Sequence, residues 1–181
     1  MKPQMLDTIE WESIARSIDT DFGDGISRTL LGDRAPIALI DRDLRTIYFI
    51  PTAWRELLLE EGPVGFDYQL VGKQLGVMTK DGFRLSLQII PELVKLTTRV
   101  LVVSNRGAEA FTYGRSILKE SVVWYDPGLK RRQRVLVVNE VHDCLGIASL
   151  FVDATQIEQL SRDDLVGKNL VDIGWFIRRL G

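Results

Sequence analysis

The chain has 181 residues, 45% hydrophobic and 27% charged, with a formal net charge of −2; this describes a folded protein of one large or two small domains and excludes a disordered or fibrous chain. A single Cys144 can close no intramolecular disulfide, and no cysteine pair stands at metal-ligand spacing, so a disulfide framework and a zinc module are excluded and a reducing intracellular setting is the default. Asp7, Glu10 and Glu12 stand where a secretion signal would be basic and then apolar, and no uncharged apolar run approaches bilayer-spanning length, so neither secretion nor membrane insertion is expected.

Asp7 followed by Glu10 resembles a helix cap, and Ile9, Ile14, Ala15 and Ile18 recur behind it at helical spacing, which predicts an amphipathic helix over about residues 8–19. The Gly/Asp-rich segment Asp21–Gly25 contains Gly-x-Gly, but it is not read as a phosphate loop. A nucleotide fingerprint needs a preceding strand, a further glycine or a Gly-Lys-Ser/Thr ending, and a following helix. Pro36–Ile40 and Thr46–Ile50 are β-branched and aromatic runs around the polar Asp41–Arg45, the pattern of an antiparallel hairpin. Thr52 is placed to cap a helix through Trp54 and Leu57–Leu59 that stops at Gly62.

A second hairpin is expected where Leu75–Met78 and Phe83–Ile89 flank Lys80-Asp81-Gly82, because Asp-Gly is a strong turn signal. Phe83, Leu85, Leu87 and Ile89 alternate with Arg84, Ser86 and Gln88, so one face of that strand is apolar. Pro91 suits the first turn of a short helix, Arg99–Val103 returns to strand character, and Ser104–Gly107 breaks the pattern. The domain boundary falls near residues 95–105. Gly107–Val122 then reads as a backbone-accessible loop, with two glycines framing Phe111 and Tyr113 and with Arg115 and Lys119 supplying charge, a kind of segment that meets RNA. Phe111 and Tyr113 themselves read as core. Strand signals follow at Val122–Tyr125, Arg134–Asn139, Leu145–Val152 and Trp175–Arg178, with turns at Asp126–Gly128 and Glu140–Asp143, a spacing that suggests a small barrel or curled sheet.

Charge is divided along the chain. Residues 1–67 hold 7 Lys and Arg against 13 Asp and Glu, and residues 68–181 hold 16 against 12, so an acidic head precedes a basic body that can attract a phosphate backbone. The densest positive run is Lys130-Arg131-Arg132-Gln133-Arg134. His142-Asp143-Cys144 holds the only histidine and the only cysteine, but adjacent residues cannot converge as a catalytic triad, so it is read as a hairpin turn with Cys144 buried beside Leu145.

Several residue patterns carry a family resemblance. Gly107-Ala108, Tyr113-Gly114 with Ile117-Leu118, Gln133–Asn139 and Leu145–Ala148 occur in the order found in PUA domains, compact pseudo-barrels of RNA-modifying enzymes and ribosome-assembly factors. With Leu75-Gly76, Phe83–Leu85 and Asp172-Ile173-Gly174 followed by Arg178 added, the chain resembles the Nip-seven type of ribosome-biogenesis factor of archaea and eukaryotes, well over residues 70–181 and by length alone over the first 65. The resemblance implies an α+β protein: an N-terminal domain on an antiparallel sheet over residues 1–98, and a PUA pseudo-β-barrel over residues 99–181. It implies a non-catalytic RNA-binding factor for large-subunit assembly and pre-rRNA processing, with no cofactor and no metal. Its partners would be ribosomal RNA or its precursor and, through the N-terminal domain, assembly proteins, with the chain monomeric and away from membranes. Its location would be cytoplasmic in an archaeon, nucleolar or nuclear in a eukaryote.

RNA contact is assigned on this basis to Gly114, Arg115, Lys119, Arg131, Arg132, Arg134, Arg162 and Lys168. Asp163, Asp164, Leu165 and Val171 stand where some relatives are basic, which marks an end to that surface. Two alternatives remain: an RNA-modifying enzyme whose catalytic domain is residues 1–98, and a protein adaptor dominated by the acidic head.

Overall fold

A computed structural model describes residues 2–42, 44–59, 71–80, 82–175 and 178. It divides into two compact units, Met1–Thr20 with Asp24–Glu92, and Asp21–Gly23 with Leu93–Gly181.

In the first unit, β1 (Lys2–Met5), β2 (Arg34–Asp41), β3 (Leu44–Pro51), β4 (Lys73–Thr79) and β5 (Gly82–Leu85) form one antiparallel sheet in chain order. The helices are α1 (Thr8–Phe22), α2 (Ile26–Leu31) and α3 (Arg55–Leu59). The Asp7 carboxylate accepts the Glu10 amide at 2.7 Å and caps α1, whose stripe Ile14, Ile18 and Phe22 is buried while Ile9 is exposed. The predicted first hairpin is present with its register running from Arg34↔Pro51 to Asp41↔Leu44. One side of the sheet packs Ile37, Leu39, Tyr48 and Ile50 against Leu58 and Val71.

Several local expectations are corrected here. α2 follows Gly25, so the Gly-x-Gly segment does lead into a helix; it is preceded by α1 rather than a strand, and the phosphate-loop context still fails. Thr52 does not cap α3, because its hydroxyl donates to the Asp33 carbonyl and Thr52–Trp54 forms a separate 3₁₀ turn. The expected stop at Gly62 and the Asp81 turn position lie outside the described residues. The strand expected over Phe83–Ile89 ends at Leu85, and the chain turns into α4 (Ile90–Leu93).

The second unit is a six-stranded curled sheet that forms a half-barrel. Its strands are β6 (Val100–Val103), β7 (Ile117–Leu118), β8 (Val122–Tyr125), β9 (Arg134–Val138), β10 (Cys144–Leu150) and β11 (Leu165–Asp172), in the order β7-β11-β10-β9-β6-β8. All pairs are antiparallel except β6 with β9. Helices α5 (Asn105–Thr112) and α6 (Ala154–Ile157) complete it. Phe111 from α5 enters a core of Leu101, Val103, Val135, Val137, Leu145, Leu150, Ile157 and Val166.

Ser104 does not break the structure but starts a helix: its hydroxyl accepts the Gly107 amide at 3.2 Å. Gly107 is therefore not the opening of a loop. It is buried in α5, where an added Cβ would lie 2.7 Å from the Ser121 Cβ, so it lets the helix approach its neighbour. Two further expectations fail. Trp175 and Arg178 are helical rather than extended, and the last strand is β11, which sequence reasoning did not assign. His142 does sit in the β9–β10 turn, with φ of 63°.

Candidate nucleic-acid interface

Three neighbouring strands arrange the basic residues. Arg134 on β9 is the register partner of Ser149 on β10, and Ser149 is the partner of Lys168 on β11, so the three side chains share one sheet face. With neighbouring strands about 4.8 Å apart, Arg134 and Lys168 lie about 10 Å from each other across Ser149.

The run before β9 is fixed through its backbone. The Arg131 amide donates to Asp153 Oδ1 at 2.7 Å, and the Arg132 amide to the Leu150 carbonyl at 2.8 Å. The Ser149 hydroxyl donates to the Arg132 carbonyl at 3.4 Å. Arg132 takes φ of 66°, which turns the chain sharply into the strand. The side chains of Lys130, Arg131, Arg132 and Lys168 are exposed, and among the described residues they make no ion pair. A phosphate could therefore meet them without displacing an internal partner.

Three other predicted residues are differently placed. Arg134 is ion-paired with Asp21, whose carboxylate also accepts the Arg134 amide at 3.2 Å. Lys119 pairs with Glu158 at 3.0 Å and has a side chain only 19% exposed. Its hydrogen bond, followed by that from Tyr125 Oη at 2.9 Å, holds the Glu158 carboxyl below its ordinary pKa. Arg162 lies 3.5 Å from Glu120, and the Glu120 amide donates to the Arg162 carbonyl. These cations are partly neutralised before any ligand arrives. Of the carboxylates that mark the expected limit of the surface, Asp164 accepts the Ser161 amide at 2.7 Å and shapes the turn into β11.

Gly114 and Arg115 belong to a separate place, the C-terminal end of α5. Gly114 has φ of 85°, and its amide donates to the Phe111 carbonyl at 2.8 Å. Below it lies the Arg178 guanidinium, paired with Asp172 through bonds of 2.9 and 2.8 Å and donating also to the Thr112 carbonyl. The hydrogen bonds to Asp172 raise the Arg178 pKa above its ordinary value. Asn169 donates to Asp172 at 3.1 Å and to the Phe111 carbonyl at 2.8 Å, which ties the end of β11 to the end of α5. A Cβ at Gly174 would lie only 2.1 Å from the Thr112 carbonyl oxygen, so the latch leaves no room for a side chain there, whereas one at Gly114 would lie 3.2 Å from Arg178 Nη2 and need only a small shift of that guanidinium.

Beside this latch opens a cavity of about 390 Å³ lined by Glu109, Thr112, Tyr113, Ile173, Gly174 and Arg178. Tyr113 is 65% exposed, contrary to its expected place in the core. Phe111 points inward, and a helical residue two positions on is turned by about 200°, to the opposite side. The exposed phenol ring beside the Gly114 backbone was the main candidate contact that sequence reasoning missed. The order Asp172, Gly174, Arg178 was visible as a motif, but its role as a clasp on α5 was not.

The remaining reactive group is not set up for chemistry. Burial pushes the Cys144 thiol up to about 11, and its weak contacts are to the Val137 and Gly146 carbonyls at 3.6 and 3.8 Å, so it stays protonated near neutral pH. Among the described residues no group of three His, Cys, Asp or Glu side chains could hold a metal ion, and no helix is long and apolar enough to cross a membrane.

Residues 99–181 match the family model described as the UPF0113 PUA domain. A UPF0113 protein of Aeropyrum pernix is 28% identical over 141 residues, 76% of this chain and 71% of that protein. Two solved structures are similar in fold: a hypothetical protein from Pyrococcus horikoshii OT3, with TM-score 0.67 and 16% identity over 97% of this chain and 98% of that one, and a conserved PUA domain protein from Thermoplasma acidophilum, with TM-score 0.64 and 11% identity over 99% and 100%. Residues 99–181, a little under half of the chain, are thus similar to the UPF0113 PUA domain.

Proposed function

We propose that this protein is a non-catalytic RNA-binding factor of the Nip-seven type, which assists assembly of the large ribosomal subunit. The carrying observation is the set of exposed cations Arg131, Arg132 and Lys168, without an ion pair among the described residues and held by fixed backbone on and beside β9–β11 in the region that matches a PUA domain. These cations would meet phosphates, and Tyr113 with the Gly114 backbone would take an unpaired base. Arg134, Lys119 and Arg162 serve mainly to hold the surface in shape. The N-terminal domain, residues 1–98 with its acidic excess, would dock basic assembly proteins. Such a factor would act on ribosomal RNA or its precursor, in the cytoplasm of an archaeon or in the nucleolus or nucleus of a eukaryote.

The reading is tested by the triple variant R131E/R132E/K168E in a polarisation titration with a labelled ribosomal RNA fragment. Binding by the parent is expected to weaken with salt, and the variant to bind at least about tenfold more weakly with a log-log salt slope shallower by about 2 to 3. A variant that binds as tightly as the parent at low salt would overturn the assignment of this surface.

A further inference from the structure

A second cleft lies away from the cations. It has a volume of about 470 Å³ and is lined by Val102, Val123, Trp124, Glu140 and His142. Among the described residues β8 is the terminal strand of its sheet and pairs only with β6, so its outer edge offers unpaired backbone groups. Trp124 on that strand is 49% exposed, and its neighbour Val123 is exposed as well. Apolar side chains gathered along a free edge mark a surface that another chain can cover.

The cleft's charge identifies what would cover it. No Lys or Arg lines it, and the Glu140 side chain makes no hydrogen bond or ion pair among the described residues. The turn that carries Glu140 and His142 is held rigidly. Asn139 Oδ1 accepts the Val141 and Asp143 amides at 3.1 and 2.8 Å, and the His142 amide donates to the Asn139 carbonyl at 3.0 Å. A carboxylate with no partner among the described residues, lining one cleft with a half-exposed indole, favours a cation, because the negative face of the ring and the carboxylate attract the same charge. A guanidinium suits both, since it stacks flat on the ring and donates in pairs to the carboxylate. Phosphate is disfavoured by Glu140 and the neighbouring Asp143.

We propose that this cleft receives an arginine side chain from an extended segment of a partner protein, stacked on Trp124 and paired with Glu140, while the segment's backbone joins the free edge of β8. The site is independent of the RNA-binding surface proposed above.

The test uses the full chain and a fluorescein-labelled peptide, Gly-Thr-Val-Arg-Val-Thr-Gly, with a neutral citrulline counterpart. The arginine peptide is expected to bind saturably, with affinity about tenfold lower for the citrulline peptide, for E140Q and for W124A, and unchanged for R131E/R132E/K168E. E140Q alters an exposed side chain, so it remains informative even if W124A misfolds. Equal binding of the two peptides, or full binding by E140Q, would overturn the proposal. So would RNA crosslinks on Trp124, or a self-association of the parent that E140Q abolishes, since these assign the cleft to nucleic acid or to a second copy of the chain.

Discussion

Phe111→Ala is expected to destabilise the second unit by about 3–5 kcal/mol, the cost of removing a fully buried aromatic side chain and leaving a cavity. Phe111 is 1% exposed and sits in the core that α5 shares with the half-barrel. Its surroundings come from β6, β9, β10, α6 and β11, so no single element can collapse into the space. Domains are stable by only about 5–15 kcal/mol, so the loss will appear as a large drop in the urea midpoint. Phe111→Leu retains most of the volume and should cost less than about 2 kcal/mol. Because the Phe111 carbonyl accepts from both Gly114 and Asn169, the alanine variant should also loosen the turn that presents Tyr113. A cost of 1 kcal/mol or less for Phe111→Ala would show that this side chain is not the centre of the core.

Gly146→Ala is expected to have the next largest effect, about 3 kcal/mol, from overpacking combined with backbone strain. Gly146 lies at a register shift in the β9–β10 pairing, has φ of 154°, and faces the backbone of β11. An added Cβ would stand 2.1 Å from the Val171 carbonyl oxygen and 2.8 Å from the Asp172 Cα. Neither is the far end of a flexible side chain, so β11 itself must move. That displaces Asp172 and with it the clasp on Arg178. Gly25→Ala is the control: φ there is 78°, but nothing lies within 4 Å of the added Cβ, so only the left-handed strain of about 1 kcal/mol applies. Equilibrium unfolding of both variants checks the comparison, and equal costs would contradict the crowding argument.

These positions show what the sequence made legible. The first hairpin is legible within a few residues because β2 carries an apolar run and β3 a β-branched and aromatic one around a polar turn. β9 and β10 were read for the same reason. β11 was missed because Gly167, Lys168 and Asn169 interrupt any apolar run, and its pairing with β10 shifts register between Ile147 and Ala148, so no strict alternation survives. β1 was missed because Pro3 weakens a strand signal; as the terminal strand of its sheet it tolerates a residue without an amide proton.

The candidate surface was legible by charge and not by availability. All eight predicted residues could be named from composition and resemblance, but a sequence does not say which cations already have partners. Arg134 and Arg162 look as basic as Arg131 and Arg132 in the sequence. Only the fold brings Asp21 to the first and Glu120 to the second. Aromatic spacing alone puts Tyr113 in the core; its exposure follows from the helix phase, which α5 sets once Phe111 points inward.

The most direct measurement is photocrosslinking of the full chain to a thiouridine-substituted ribosomal RNA fragment, followed by mass mapping of the modified peptides. Crosslinks are predicted on the peptides that carry Tyr113, Arg131 with Arg132, and Lys168. Crosslinks confined to residues 2–92, or to the Trp124 cleft, would contradict the assignment of RNA binding to this surface.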